Sequence, residues 1–214
     1  MSASNNESED TKWQVCLHMG RIIVEATPLK GVYVIEPQVF GDERGCFFES
    51  YNERDFQTYG LEMRFVQDNQ SMSTRGVLRG MHFQKQHAQG KLVRTLAGSV
   101  YDVVVDIRRG SETYGQWFGV ELSEANHRQL YIEPGFAHGY LALTDKAVFA
   151  YKTTDYYHPE DEGGLLWNDP EIGIRWPGVE RGPDGSLHLT DGTALTINER
   201  DRRWPTLQQL DRIR

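Results

Sequence analysis

The punctuation of the chain is what most constrains its fold. From Arg21 onward, short segments rich in Val, Ile, Tyr and Phe recur between turn residues: RIIVEA, GVYVIEP, CFFESY, KLVRTLAG, SVYDVVVDI, GQWFGVEL, RQLYIEP, YLALTD and AVFAYKTT. Runs this short and this frequent describe antiparallel strands. The 21 glycines and 8 prolines are too many for a helical bundle. In SVYDVVVDI the apolar alternation is interrupted by Asp102 and Asp106, and YLALTDKAVFAYKTT places two apolar runs around Thr144-Asp145-Lys146, which predicts a hairpin. Helical signal is confined to Asn52–Tyr59, with Asn52 as N-cap, and to the tail Pro205–Ile213. Roughly a dozen short strands in one unit must close into a barrel or pack as two sheets, because open edges aggregate. The pattern predicts an all-β jelly-roll barrel with short peripheral helices; a β-sandwich of immunoglobulin type is the alternative.

A chain of 214 residues with 38% hydrophobic content can bury about 70% of its unfolded surface, enough for one large domain without disulfide or zinc support. The start, MSASNNESEDTK, is too polar to pack, so residues 1–20 read as a disordered tail and 21–214 as a single domain. GVERGPDGSLHLTDGT (178–193) reads as a long surface loop or hairpin. Cys16 and Cys46 show neither CxxC nor metal-ligand spacing and fit unpaired thiols. With no basic, apolar leader and no run of about 18 apolar residues, the expected location is the cytoplasm, with no membrane partner. The net charge of -8 argues against nucleic acid, so any anionic ligand needs a local basic pocket.

Three segments could carry chemistry: VQDNQSMSTRGVLRGMHFQ around His82, QGKLVR around Lys91 and EPGFAHGY around His138. Taken singly, each has an ordinary reading: a packed core histidine, a solvated lysine and a turn histidine. Together, Arg75, Arg79, His82, Lys91 and Arg94 put five potential cations within twenty residues of an acidic protein. Gln67, Asp68 and Asn69 add hydrogen-bonding groups nearby. The clustering predicts an anion pocket suited to phosphate, against the alternative of exposed strand arginines. A metal reading is weaker. Barrels of this class often use an HxH pair, a glutamate and a later histidine, but Gln84 stands where the second histidine of the pair belongs. His82 and His138 alone fall short of three or four ligands, so no metal is expected.

At these residues the sequence resembles the dTDP-4-dehydrorhamnose 3,5-epimerase family of cupin-fold enzymes. The likeness runs from about Thr27 to Pro205 through FGDERGCFFESYN, FVQDNQSMSTRGVLRGMHFQ, QGKLVRTLAGSVYDVVVDIRRGSETYGQW, ELSEANHRQLYIEPGFAHGYLAL, FAYKTTDYY and WNDPEIGIRWP. The resemblance implies His82 as general base, Asp201 of NERD as the carboxylate that orients it, and Tyr151 of FAYK as the acid on the other face of the sugar. It implies that Lys91 and His138 line the sugar site, Lys91 near the carbonyl oxygen. Arg44, Glu49, Gln67, Asn69, Arg79 and Glu162 would contact nucleotide and diphosphate, with Arg200 where the family more often has lysine. Gln70, Cys46 and Asn198 depart from the family's more frequent His, Phe and Ser, and the N-terminal extension and the 178–193 segment depart from its pattern.

Those residue types suit the reaction that the resemblance implies, inversion of C3 and C5 of dTDP-4-dehydro-6-deoxy-D-glucose to give dTDP-4-dehydro-L-rhamnose. A hydrogen beside a ketone is acidic only because the anion spreads onto oxygen, so the site needs a base for the hydrogen and a cation for the oxygen. Inversion then needs a proton from the opposite face, which a phenol can give. No cofactor is implied, and no GxGxxG is present to bind a nicotinamide. The resemblance also implies a homodimer with strand exchange, in which Arg44 and Glu49 serve the neighbouring site. The competing readings are a mono-epimerase or ketoisomerase on a related nucleotide sugar, a metal-dependent cupin, and a silent sugar-binding barrel.

Overall fold

A computed structural model describes residues 17–18 and 21–213. Residues 1–16, Cys16 among them, and 19–20 lie outside the described residues, while Leu17 and His18 pair with Val24 and Ile23 as a short strand, so the tail expected over 1–20 does not hold at those two positions. The strands in chain order are β1 (Leu17–His18), β2 (Ile22–Ala26), β3 (Val32–Pro37), β4 (Phe40–Asp42), β5 (Gly45–Phe47), β6 (Gln67–Ser73), β7 (Leu78–Gln84) and β8 (Lys91–Ala97). They continue as β9 (Ser99–Asp106), β10 (Trp117–Ser123), β11 (Gln129–Ile132), β12 (Phe136–Ala142), β13 (Ala147–Thr153), β14 (Glu162–Gly164), β15 (Val179–Arg181) and β16 (Leu187–Leu189). Two short helices, α1 (Glu53–Thr58) and α2 (Leu207–Ile213), stand where the capping and periodicity signals put them, and the Asn52 side chain accepts the Arg54 N–H as expected of an N-cap.

Two antiparallel sheets face each other. The larger runs β1-β2-β3-β11-β8-β13-β6 and the smaller β10-β9-β12-β7-β14. This is the predicted cupin-type jelly roll, flattened: among the described residues no strand ladder passes from one sheet to the other, and side-chain packing closes the barrel. Val34, Val93, Val104, Leu122, Leu130 and Phe149 fill the space between the sheets. The outer face of the small sheet is covered by the C-terminal third, where Trp167, Trp176, Leu207 and Leu210 pack on Val103, Val105 and Leu141. That second cover explains why β9 and β12 read as nearly continuous apolar runs instead of alternating ones. The outer face of the large sheet receives α1, whose Phe56 is fully buried with Leu61 against Ile35, Leu92 and Tyr131. Burying a side chain of that size contributes about 1.5–3 kcal/mol, enough to hold a six-residue helix that would not persist alone.

The hairpin predicted at Thr144-Asp145-Lys146 does not form. β12 already has β9 on one side and β7 on the other, so it offers no edge to β13, which pairs with β6 and β8. Residues 143–146 instead cross from the small sheet to the large one. They are pinned by Leu143 N–H to the Ser99 carbonyl at 2.9 Å and by Ser99 N–H to Thr144 Oγ1 at 3.0 Å. The 178–193 segment is the hairpin β15–β16.

Candidate active site

The cavity lies between the sheets, where β6, β8 and β13 face β7, β12 and β14, and its volume is about 330 Å3. The large sheet supplies Gln67, Asn69 and Ser71 from alternate positions of β6, Lys91 from β8, and Phe149 and Tyr151 from β13. The small sheet supplies Arg79 and His82 from β7, His138 and Tyr140 from β12, and Glu162 from β14. Asn198, Arg200 and Asp201 enter from the C-terminal loop.

Arg79 and His82 are three residues apart, a spacing that puts side chains on opposite faces of a regular strand. A register shift brings them to one face: His138 pairs with His82 and Tyr140 with Arg79, so β7 carries one residue more than β12 across this step. Gly80 is required within the bulge. Its φ is +123°, and a Cβ there would sit 2.6 Å from the Gly139 Cα and 2.8 Å from the His138 carbonyl oxygen.

Two histidine–aspartate pairs flank the cavity. His82 Nε2 lies 2.7 Å from Asp201 Oδ1, and this carboxylate also accepts the Gly80 N–H at 3.1 Å and the Trp204 indole N–H at 3.2 Å. Burial opposes charge on Asp201, but the bonds from His82, Gly80 and Trp204 outweigh it and hold the carboxyl below its ordinary range. The loop that carries it is anchored twice. Asn198 Oδ1 accepts the Asp201 N–H at 2.6 Å, and the Trp204 ring lies on Gly164, where a Cβ would be 2.2 Å from the indole. The second pair, His138 Nε2 and Asp102 Oδ2 at 2.9 Å, is buried. Burial pushes the imidazole down and the carboxyl up, while their attraction for each other works against both shifts. Lys91 is buried beside this pair, and desolvation brings its pKa down to about 8 against the pull of Asp102 and Glu162. Burial raises the Tyr151 phenol, keeping it protonated at neutral pH.

At the rim, Glu162 pairs with Arg200 and accepts the Tyr157 hydroxyl at 3.0 Å, while Gln67 donates to Asn69 Oδ1 at 2.8 Å. Arg79 donates to Ser73 Oγ at 3.0 Å and keeps an exposed guanidinium at the mouth. Gln84 turns away from any ligand role: its amide donates to the His87 and Tyr156 carbonyls and accepts the His158 N–H.

The structure therefore brings together His82, Tyr151, Asp201, Lys91, Gln67, Asn69, Arg79, His138, Glu162 and Arg200. It does not bring Arg44 or Glu49 to this cavity. Arg44 sits on the β4–β5 hairpin in an ion pair with Asp42, and Glu49 pairs with Arg21 at 3.4 Å. The five-cation cluster also divides. Arg75 is bound to Asp191 and the Leu143 carbonyl, and Arg94 emerges on the opposite face of β8 from Lys91, beside Asp68, Gln129 and Lys152. Sequence reasoning missed Asp102, Ser71, Tyr140 and Tyr157. An aspartate inside an apolar strand was the available signal for Asp102, since a buried carboxylate demands a partner.

A base held by a carboxylate, a buried lysine and a phenol that converge on one pocket between the sheets of a jelly roll are the parts that proton transfer beside a carbonyl requires. The family model described as dTDP-4-dehydrorhamnose 3,5-epimerase matches residues 26–209. The chain is 52% identical over 183 residues to the dTDP-4-dehydrorhamnose 3,5-epimerase of Methanothermobacter thermautotrophicus, covering 86% of this chain and 93% of that one. It is 56% identical over 181 residues to the enzyme of the same name from Salmonella typhimurium, covering 82% and 99%. The crystal structure of a dTDP-6-deoxy-D-glucose-3,5-epimerase from Legionella pneumophila, in complex with dTDP-4-keto-L-rhamnose, superposes with a TM-score of 0.81 at 45% identity, covering 90% of this chain and 96% of that one. The chain belongs to the dTDP-4-dehydrorhamnose 3,5-epimerase family.

Proposed function

We propose that the protein epimerises C3 and C5 of dTDP-4-dehydro-6-deoxy-D-glucose, giving dTDP-4-dehydro-L-rhamnose, in deoxysugar biosynthesis. The observation that carries the mechanism is that the His82–Asp201 dyad and Tyr151 approach one cavity from opposite sheets, with Lys91 lining it as well. His82 takes the proton from the carbon beside the C4 ketone, and Asp201 holds the imidazole in orientation and stabilises its charge. The electron pair left behind spreads onto the ketone oxygen, where Lys91 and the buried His138 supply charge and hydrogen bonds in a site shielded from water. Tyr151 returns a proton to the opposite face of the same carbon and is recharged from solvent.

Arg79, Gln67, Asn69, Glu162 and Arg200 line the side of the pocket suited to the nucleotide diphosphate, for which an arginine fork is the natural partner. The exposed Phe40 and Phe47 of the β4–β5 hairpin support a homodimer in which this arm, with Arg44 and with Glu49 close behind it, reaches the neighbouring site. The described residues include no helix long and apolar enough to cross a membrane.

Proton NMR in D2O with dTDP-4-dehydro-6-deoxy-D-glucose tests the reaction. Deuterium should enter at both C3 and C5, and the L-rhamno product should accumulate. Incorporation at one carbon only would make the protein a mono-epimerase, and none at either would make it a binding protein.

A further inference from the structure

A second cluster of ligand-type side chains stands outside the proton-transfer cavity. His87, on the loop after β7, and Asp155 and His158, on the loop after β13, each direct a ligand atom into one space, with all three atoms within 4.8 Å of one another. The two imidazoles are stacked nearly parallel, with centroids 3.9 Å apart and planes 16° from each other. His87 Nδ1 lies 3.6 Å from Asp155 Oδ2, and His158 Nδ1 lies 3.5 Å from Glu160 Oε1. Neighbouring ligand atoms around a tetrahedral ion with bonds of about 2.0–2.1 Å are about 3.3 Å apart, and because an imidazole binds an ion in its own ring plane, closing the set turns one ring out of the stack.

The backbones that carry these side chains are already fixed. Gln84 donates to the His87 carbonyl at 2.6 Å and accepts the His158 N–H at 2.7 Å, tying the two histidines to one amide. Asp161 accepts the N–H groups of Gln86 and His87, and Gln89 donates to the Asp155 carbonyl at 2.9 Å. A site whose supporting bonds exist before the ion arrives loses little entropy on binding.

We propose that His87, Asp155 and His158 bind a divalent transition-metal ion of the zinc class, with water or Glu160 as fourth ligand. Two imidazoles and one carboxylate suit Zn2+ and its neighbours Ni2+ and Cu2+ better than Mg2+ or Ca2+. The ion staples the two loops whose Gln89 and Tyr157 line the cavity mouth, and it takes no part in proton transfer.

The test is calorimetric titration of Zn2+ into the chelator-stripped, full-length protein. One saturable equivalent per chain is expected, with Tm raised by about 5–10 °C at a zinc concentration a hundredfold above Kd. The double variant His87→Ala/His158→Ala should lose that equivalent and the Tm shift while keeping the zinc-free kcat. Asp155→Asn should weaken binding by about 10–100-fold. No saturable uptake by the wild type would overturn the proposal. So would uptake that persists unchanged in the double variant, which, if accompanied by inhibition, would put the ion on His82 or His138 instead.

Discussion

Asp102 and Asp106 lie four residues apart on the same inner face of β9, and neither side chain has any exposure. Their surroundings drive them in opposite directions. Asp106 is desolvated, but it accepts bonds from the Arg108 guanidinium and N–H and from the hydroxyls of Ser111 and Thr113, all at 2.6–3.0 Å. Together these hold its pKa at about 2. Its partners either carry a permanent charge or none, and all sit on the loop that follows the strand, so the cluster is a fastening. Asp102 faces His138, whose imidazole burial pushes down, and Lys91, whose pKa is brought down to about 8, and burial pushes its own carboxyl up. A buried aspartate on a rigid strand is a structural or a functional element according to whether its partners can titrate.

The largest expected effect extends this comparison to the other dyad. His82→Ala should lower kcat by about 10²–10⁴-fold, the usual worth of a positioned base, with a smaller loss of Tm, since the buried Asp201 loses its 2.7 Å bond to the imidazole but keeps those from the Gly80 and Trp204 N–H groups. Steady-state kinetics and a thermal melt check it together. Asp106→Ala should do the reverse. Removing one partner of a buried ion pair costs about 3–5 kcal/mol, read as a lowered denaturation midpoint, while kcat stays within a few-fold of wild type. In the intact protein the folded pKa of Asp106 is depressed, so its stabilisation is present above about pH 4 and is lost as pH falls toward 2.

A smaller effect is expected for Asp102→Asn, which keeps the shape and one hydrogen bond to His138 but removes the charge. The kcat should fall about tenfold and the pH profile should shift with little loss of stability. The smallest is a pH effect at Lys91. With a folded pKa of about 8, its cation is lost above that pH, so kcat/KM should fall on the alkaline side. Lys91→Arg should remove that limb at a lower maximum rate. Because an unfolded lysine still binds its proton up to about pH 10, stability itself should rise between pH 8 and 10, opposite in sign to activity.

The strands were legible because their apolar runs and turn residues are local properties. Neither β6 nor β7 was read as a strand: QDNQSMS is polar because its inner side chains face the cavity and its outer ones face solvent, and in LRGMHFQ the bulge at Gly80 breaks the alternation. The hairpin at Thr144 was misread because a turn signal carries no information about whether β12 still has a free edge. Parity on the strand separates Lys91 from Arg94, three residues apart and on opposite faces. The same rule would have separated Arg79 from His82 wrongly, since the β7 bulge restores them to one face. Asp102 and His138 are 36 residues apart and meet only through β9–β12 pairing, which no local pattern encodes. Ten of the twelve residues implied by the family resemblance share the cavity, and the two outliers, Arg44 and Glu49, lie on or beside the arm proposed to serve the partner.

The opposition of His82 and Tyr151 across the cavity is tested most directly by Tyr151→Phe in D2O, with exchange and inversion followed separately by proton NMR. The variant keeps His82, Asp201 and Lys91 and the ring's packing against Phe149, and loses only the hydroxyl. It should still exchange substrate hydrogen for deuterium by return from His82's face, while epimerised product falls by about 10²-fold or more. Loss of exchange and inversion together in a variant that still binds dTDP, or product formation at the wild-type rate, would contradict the two-faced mechanism.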